Sequence, residues 1–152
     1  MRTAARWPAY IMQWAWAFTL LRDALVEQKT ILVVDDDPDC RIIYSKLLQH
    51  AGYGVIEAQD GTEGVRRAQE HRPNLIVMDL RLPMLDGWQA AEQIRQDPEM
   101  ANTPIIAFTA QVIPGDDARA QNAGFVRYFA KPVEPHHVLQ DIQQRIGPAT
   151  PV

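Results

Sequence analysis

Cysteine is all but absent: Cys40 is the only one in 152 residues. A lone thiol excludes a disulfide scaffold and any zinc site built on paired cysteines. The four histidines do not pair with it at ligand spacing, which removes a structural zinc finger as well. Basic charge is also short. Fifteen Lys and Arg face nineteen Asp and Glu, a net charge of −4, the reverse of the clustered cations that a nucleic-acid binder carries. No internal repeat and no low-complexity tract occurs, so repeat architectures are excluded. The uncharged amino-terminal run, Trp7 to Leu21, falls short of the roughly 20 apolar residues that a spanning helix needs. What is present is a 47% hydrophobic content, sufficient for a core in a chain of one-domain length. A disordered chain is excluded on the same ground.

The amino-terminal 28 residues differ from the rest. They hold Arg2, Arg6 and Arg22 against Asp23 and Glu27, so the acidic excess belongs to residues 29–152. Trp7, Tyr10, Ile11, Trp14, Phe18, Leu21 and Leu25 recur at helical spacing on one face, with Met12, Trp16 and Leu20 on the other side. The segment is expected to be an extra apolar helix. Four readings stay open at this stage. It is a signal peptide with Ala15-Trp16-Ala17 as cleavage site. It is a membrane-surface anchor acting through residues 7–21. It is a helix packed on the domain or on a second copy as a homodimer. Or the start is assigned too far upstream, with Met12 or Val26 as the true one.

From Lys29 on, strand and helix alternate. Thr30–Val34, Gly54–Ala58, Leu75–Met78, Pro104–Phe108 and Phe125–Ala130 read as strands, most of them apolar runs without alternation, as a strand buried on both faces requires. Helices are expected from Pro38 to Gly52, over 62–71, 87–97, 114–122 and 135–146, with Gly and Pro at their ends. Strict alternation implies a parallel sheet covered on both faces. The fold class is α/β, a flavodoxin-like three-layer sandwich with strand order 2-1-3-4-5. The organisation is an extension over 1–28, one domain over 29–147 and a tail over 148–152.

In such a sheet ligands bind beyond the carboxyl ends of the strands, at the switch point between the first and third. The polar residues fall there. Asp35 and Asp36 end the first strand, Asp79 the third, Thr109 the fourth and Lys131 the fifth. Three crowded carboxylates repel one another unless a positive charge sits among them. Hard oxygen ligands suit Mg2+, which keeps waters for a phosphate partner. A lysine and a hydroxyl beside that metal neutralise phosphoryl oxygens. The matching chemistry is phosphoryl transfer onto a carboxylate nucleophile.

Together, Leu32-Val33-Val34-Asp35-Asp36, Val77-Met78-Asp79, Leu82-Pro83-Met84-Leu85-Asp86-Gly87, Thr109-Ala110 and Lys131-Pro132 resemble the receiver domain of two-component response regulators. The likeness is to the stand-alone, single-domain type. It implies that Asp79 is the phosphoacceptor, taking the group from a sensor histidine kinase or a phosphotransfer protein. It implies that Asp36 and Asp79 bind Mg2+ directly, Asp35 mainly through water, with the Arg81 backbone carbonyl completing the protein ligands. Lys131 pairs with the acceptor, and Thr109 moves to the phosphoryl group. Tyr128 is the aromatic switch, turning inward from an exposed position. Lys131-Pro132 is a cis peptide. A downstream protein docks on the face of residues 114–146, the location is cytoplasmic, and the chain catalyses only its own phosphorylation and dephosphorylation.

Blander readings compete at single positions. Asp37 and Asp39 read as helix-start acids, and Asp86-Gly87 as a turn and cap. His136 and His137 read as solvated, Cys40 as inert. An EF-hand loop starting at Asp35 fails, because Cys40 and Lys46 stand where Gly and Glu are needed. A haloacid-dehalogenase-like phosphatase using Asp35 and Asp37 leaves Asp79 without a role. A flavin module fails on the acidic loop, which repels phosphate.

Overall fold

The computed structural model describes residues 9–25 and 28–149. A helix α1 (Ala9–Leu25) precedes a run of β1 (Thr30–Val34), α2 (Pro38–His50), β2 (Gly54–Ala58), α3 (Gly61–His71), β3 (Leu75–Asp79), α4 (Gly87–Gln96), β4 (Ile105–Thr109), α5 (Asp116–Asn122), β5 (Arg127–Ala130) and α6 (Pro135–Ile146). The five strands form one parallel sheet in the order β2-β1-β3-β4-β5, the order expected from the alternation.

The apolar strands are explained by two core layers. Leu32, Val34, Ile76, Met78, Ile105 and Ala107 face the helices α3, α4 and α5, meeting Val65, Ala68, Ala90, Ile94 and Ala120. The intervening residues Ile31, Val33, Leu75, Val77, Ile106 and Phe108 face α2 and α6, meeting Tyr44, Leu48, Val138 and Ile142. Period-two side-chain alternation with helices on both faces leaves no polar face on these strands.

Helix starts are capped from the acidic residues. The Asp37 side chain accepts from the Asp39 N–H with Pro38 in the first turn. Asp60 accepts from Glu63, and Asp86 forms a reciprocal capping box with Gln89. The readings of Asp37, Asp39 and Asp86 as helix-start acids hold.

Some boundaries differ. The fifth strand begins at Arg127, not Phe125, because the Phe125 N–H closes the end of α5 on the Ala120 carbonyl, with Gly124 at φ 86°. Phe125 packs edge-on against Trp88 instead. Helix α5 starts at Asp116, since Gly115 adopts a left-handed conformation just ahead of it. The last described residues are tied to the domain. Lys29 donates to the Pro148 carbonyl at 3.0 Å, and Ala149 is buried.

Helix α1 carries Trp14, Trp16, Phe18, Leu20 and Leu21 exposed, and these belong to neither core layer. Among the described residues no helix is long and apolar enough to cross a membrane. Trp7, Met1 to Arg6, Val26 and the tail beyond Ala149 lie outside the described residues.

Candidate functional site

The carboxyl ends of β1, β3, β4 and β5 deliver the site. Carboxylate oxygens of Asp35, Asp36 and Asp79 lie within 4.8 Å of one another. Asp35 and Asp79 are buried while Asp36 is exposed. The Lys131 ammonium reaches in from the end of β5. It lies 2.8 Å from Asp35 Oδ2 and 3.1 Å from Asp79 Oδ2. The remaining oxygens are also held: the Asp37 N–H donates to Asp35 Oδ1 and the Arg81 N–H to Asp79 Oδ1, each at 2.9 Å. Asp35 thus has a partner on each oxygen. No described hydrogen bond ends on the Asp36 carboxylate, which leaves it free for a ligand.

Thr109 is buried, and its hydroxyl donates to the Gln111 carbonyl at 2.9 Å. The Lys131-Pro132 peptide is cis. Gly87 packs against the end of β3. A methyl group there would collide with the main chain of Asp79 and Leu80.

The electrostatics follow from this burial. Burial pushes the Asp79 carboxyl above its ordinary value and Asp35 adds to the shift, while the Arg81 N–H and Lys131 oppose it. For Lys131, burial alone would lower the ammonium. The hydrogen bonds and charges of Asp35 and Asp79 outweigh it and hold the group above its ordinary value. A half-buried cation fixed between two buried acids, beside a third acid open to solvent, can take a divalent cation and a phosphoryl group together.

A family model described as the response regulator receiver domain matches residues 31–143. The chain belongs to that family. The receiver domain is 31% identical over 121 residues to the polar-differentiation response regulator DivK of Brucella anthropi, covering 80% of this chain and 98% of DivK. It also resembles the Vibrio cholerae chemotaxis protein CheY4, with a TM-score of 0.74 and 29% identity over 78% of this chain and 99% of that one. Its likeness to the receiver domain of the Pseudomonas aeruginosa sensor histidine kinase PA1611 reaches 36% identity and a TM-score of 0.72, covering 80% and 99%. That structure holds a magnesium ion in its active-site cleft. The function of this family is phosphorylation-controlled two-component signalling. The phosphatase reading gains no support: Asp37 caps α2, and Asp35 is committed to Lys131.

One expectation is overturned. Tyr128 does not start from an exposed position: the receiver domain holds its ring against the core layer of α3, α4 and α5. Its hydroxyl is enclosed, with the Thr109 side chain beside it. Burial, with Asp116 and Asp117 nearby, pushes the phenol up. The reason is packing: β5 aligns Tyr128 with Ala107, whose small side chain leaves room for the ring.

Two grooves flank the acids. One of about 450 Å³ is lined by Cys40, Ile43, Tyr44, Ala110, Lys131 and Val133. The other, about 270 Å³, is lined by Arg81, Asp86, Trp88, Thr109, Asp116 and Arg119. In it the Arg119 guanidinium stacks over Trp88 at 4.1 Å. Burial and the Asp37 side chain raise the Cys40 thiol to about 11, which agrees with an inert cysteine. Sequence reading passed over Arg41, whose guanidinium donates to the Asp35 carbonyl. Its place early in the helix that follows the acidic turn was the available signal.

Proposed function

We propose that Asp79 is the phosphoacceptor, fed by a histidine kinase or a phosphotransfer protein. One observation carries this reading: the Lys131 ammonium bridges Asp35 and Asp79 at 2.8 and 3.1 Å with Asp36 free beside them. An Asp79 oxygen forms a bond to phosphorus as the bond from phosphorus to the donor imidazole breaks. The imidazole leaves and is reprotonated by solvent. Lys131 receives the phosphoryl charge.

The cofactor in this reading is Mg2+, held by Asp36, Asp79 and the Arg81 backbone carbonyl, with Asp35 acting through water. Bound there, it neutralises phosphoryl oxygens and orients the incoming group. The hard oxygen donors without nitrogen or sulfur favour that ion over softer metals. The apolar groove beside Lys131 seats the donor protein, and the chain turns over no substrate other than its own phosphoryl group. The location is cytoplasmic.

For output, the Thr109 hydroxyl leaves the Gln111 carbonyl for the phosphoryl group. Release of that loop re-shapes the face of residues 114–146, which binds the downstream protein. Tyr128, already packed inside, acts as the stop that holds the shifted arrangement.

The test is incubation with acetyl phosphate and Mg2+. Intact mass is expected to rise by one phosphoryl group, acid-stable and alkali-labile. Asp79→Asn blocks it, and Asp36→Ala abolishes both Mg2+ binding and phosphorylation. Modification of Ser, Thr or His instead would overturn the assignment.

A second reading concerns α1. Positions 11, 14, 18, 21 and 25 follow the 4-3 spacing of a two-helix seam, with Ala15, Ala17 and Ala24 beside it. We infer a homodimer through this helix. A membrane-surface helix would need a strongly charged back face, and this one carries Met12, Trp16 and Leu20 there, with Asp23 as its one charge. Sedimentation of the full chain is expected to give a dimer, and of Phe18→Asp a monomer. A monomeric wild type overturns it.

A further inference from the structure

The β1–β2 ladder ends at the pair Val34 and Ala58, so the main chain of Asp35 stands at the last rung. Its N–H still reaches the Ala58 carbonyl at 3.1 Å. Its carbonyl has no strand partner. Arg41 fills that place: its Nη1 donates to the Asp35 carbonyl at 2.7 Å. The Arg41 Nε lies 3.8 Å from Glu57 Oε1, with the guanidinium side chain only 18% exposed. The buried Ser45 hydroxyl donates to that same Glu57 oxygen at 2.9 Å. A chain of polar contacts therefore runs from α2 through β2 to the turn that bears the acids.

That carbonyl shares its peptide plane with the N–H of Asp36. Fixing the carbonyl fixes the plane, and with it the direction in which the Asp36 α carbon projects its side chain. Nothing else described holds Asp36, whose carboxylate accepts no hydrogen bond among the described residues. We propose that Arg41 is a positioning residue for the metal site. It sets the Asp35–Asp36 peptide so that the three carboxylates are gathered before a divalent cation arrives. This rests on the reading of Asp35, Asp36 and Asp79 as a Mg2+ site.

Two physical effects of Arg41 oppose each other, and their signs separate them. As a bare cation near three acids, it repels Mg2+, so its removal would tighten binding. As a clamp, it preorganises the site, so its removal loosens binding. The geometry favours the clamp, because the guanidinium points at a main-chain carbonyl and at Glu57 rather than at the carboxylates. Lysine cannot replace it: a single ammonium cannot serve the Asp35 carbonyl and Glu57 with a planar fork.

The experiment is a Mg2+ titration of the full chain by calorimetry, with Arg41→Ala, Arg41→Lys and Glu57→Gln. Arg41→Ala is expected to weaken Mg2+ about 10- to 100-fold, the usual effect of losing an outer partner of a metal ligand. Arg41→Lys keeps the charge but is expected to lose several-fold, and Glu57→Gln less. In phosphorylation by acetyl phosphate, the rate deficit of Arg41→Lys is expected to recover as Mg2+ is raised, because the defect lies in metal affinity. Thermal melts in EDTA establish that each variant folds. If Arg41→Ala does not fold, the other two carry the test. Equal or tighter Mg2+ binding by the folded variants overturns the role of Arg41 and leaves the metal site intact. A wild-type chain that binds no Mg2+ overturns both.

Discussion

The α carbon of Gly87, the first residue of α4, faces the main-chain oxygen of Asp79 with no room for a methyl group between them. The Gly87 N–H also donates to the Leu80 carbonyl at 3.1 Å, so the helix start is pinned to the end of β3. Gly87→Ala must displace main chain rather than a flexible side chain. The expected cost is about 1–3 kcal/mol of unfolding free energy, read from urea denaturation, with Mg2+ affinity lowered in parallel. An alanine variant as stable as wild type, with unchanged Mg2+ binding, would show that this contact does not set the site.

Asp79 ties acidity to stability. Burial first, and Asp35 second, hold its carboxyl above the ordinary value, so the folded state binds this proton more tightly than the unfolded chain does. The stabilisation from that group is complete below the ordinary carboxylate range and is lost as pH rises through the folded value. At neutral pH the wild type therefore carries the cost of a buried ionised acid. Asp79→Asn is expected to melt at a higher temperature than wild type at pH 7 in EDTA. The difference should shrink as pH falls toward about 4. A gap that widens on acidification would contradict the sign.

Lys131 offsets the repulsion between Asp35 and Asp79. Its ammonium is held above its ordinary value by those two acids despite burial. Lys131→Met leaves two buried carboxylates without a cation, a loss of about 3 kcal/mol. Mg2+ then supplies the missing charge. Its affinity is expected to rise, and its addition to recover part of the lost stability in a denaturant titration. Weaker Mg2+ binding by this variant would mean that Lys131 shapes the site more than it competes with the ion.

Thr109 is the expected link between phosphorylation and output. Thr109→Ala should accept phosphate on Asp79 with intact mass shift, yet fail to change hydrogen exchange over residues 114–131. Tyr128→Ala is expected to give a milder defect, since the ring already sits inside. Phosphorylated Thr109→Ala with the wild-type exchange change would remove this coupling.

The order of strands and helices was legible in the sequence, because apolar runs without alternation, broken by Gly and Pro, leave few alternatives to a doubly covered parallel sheet. The identity of the acids and of Lys131 was legible too, since each stands at the end of its strand. What lies 96 residues apart in the chain, such as Lys131 and Asp35, meets only through strand register and crossover. That meeting decides which acid is committed to the lysine and which stays free. The inward Tyr128 depended on the small Ala107 opposite it, a neighbour fixed by the β4–β5 pairing. Phe125 left its expected strand because a left-handed Gly124 turned it into the cap of α5. The clamp of Arg41 on the Asp35 carbonyl had no sequence pattern of its own. It arises where the β1–β2 ladder runs out of partners, and only the folded chain shows which side chain fills the gap.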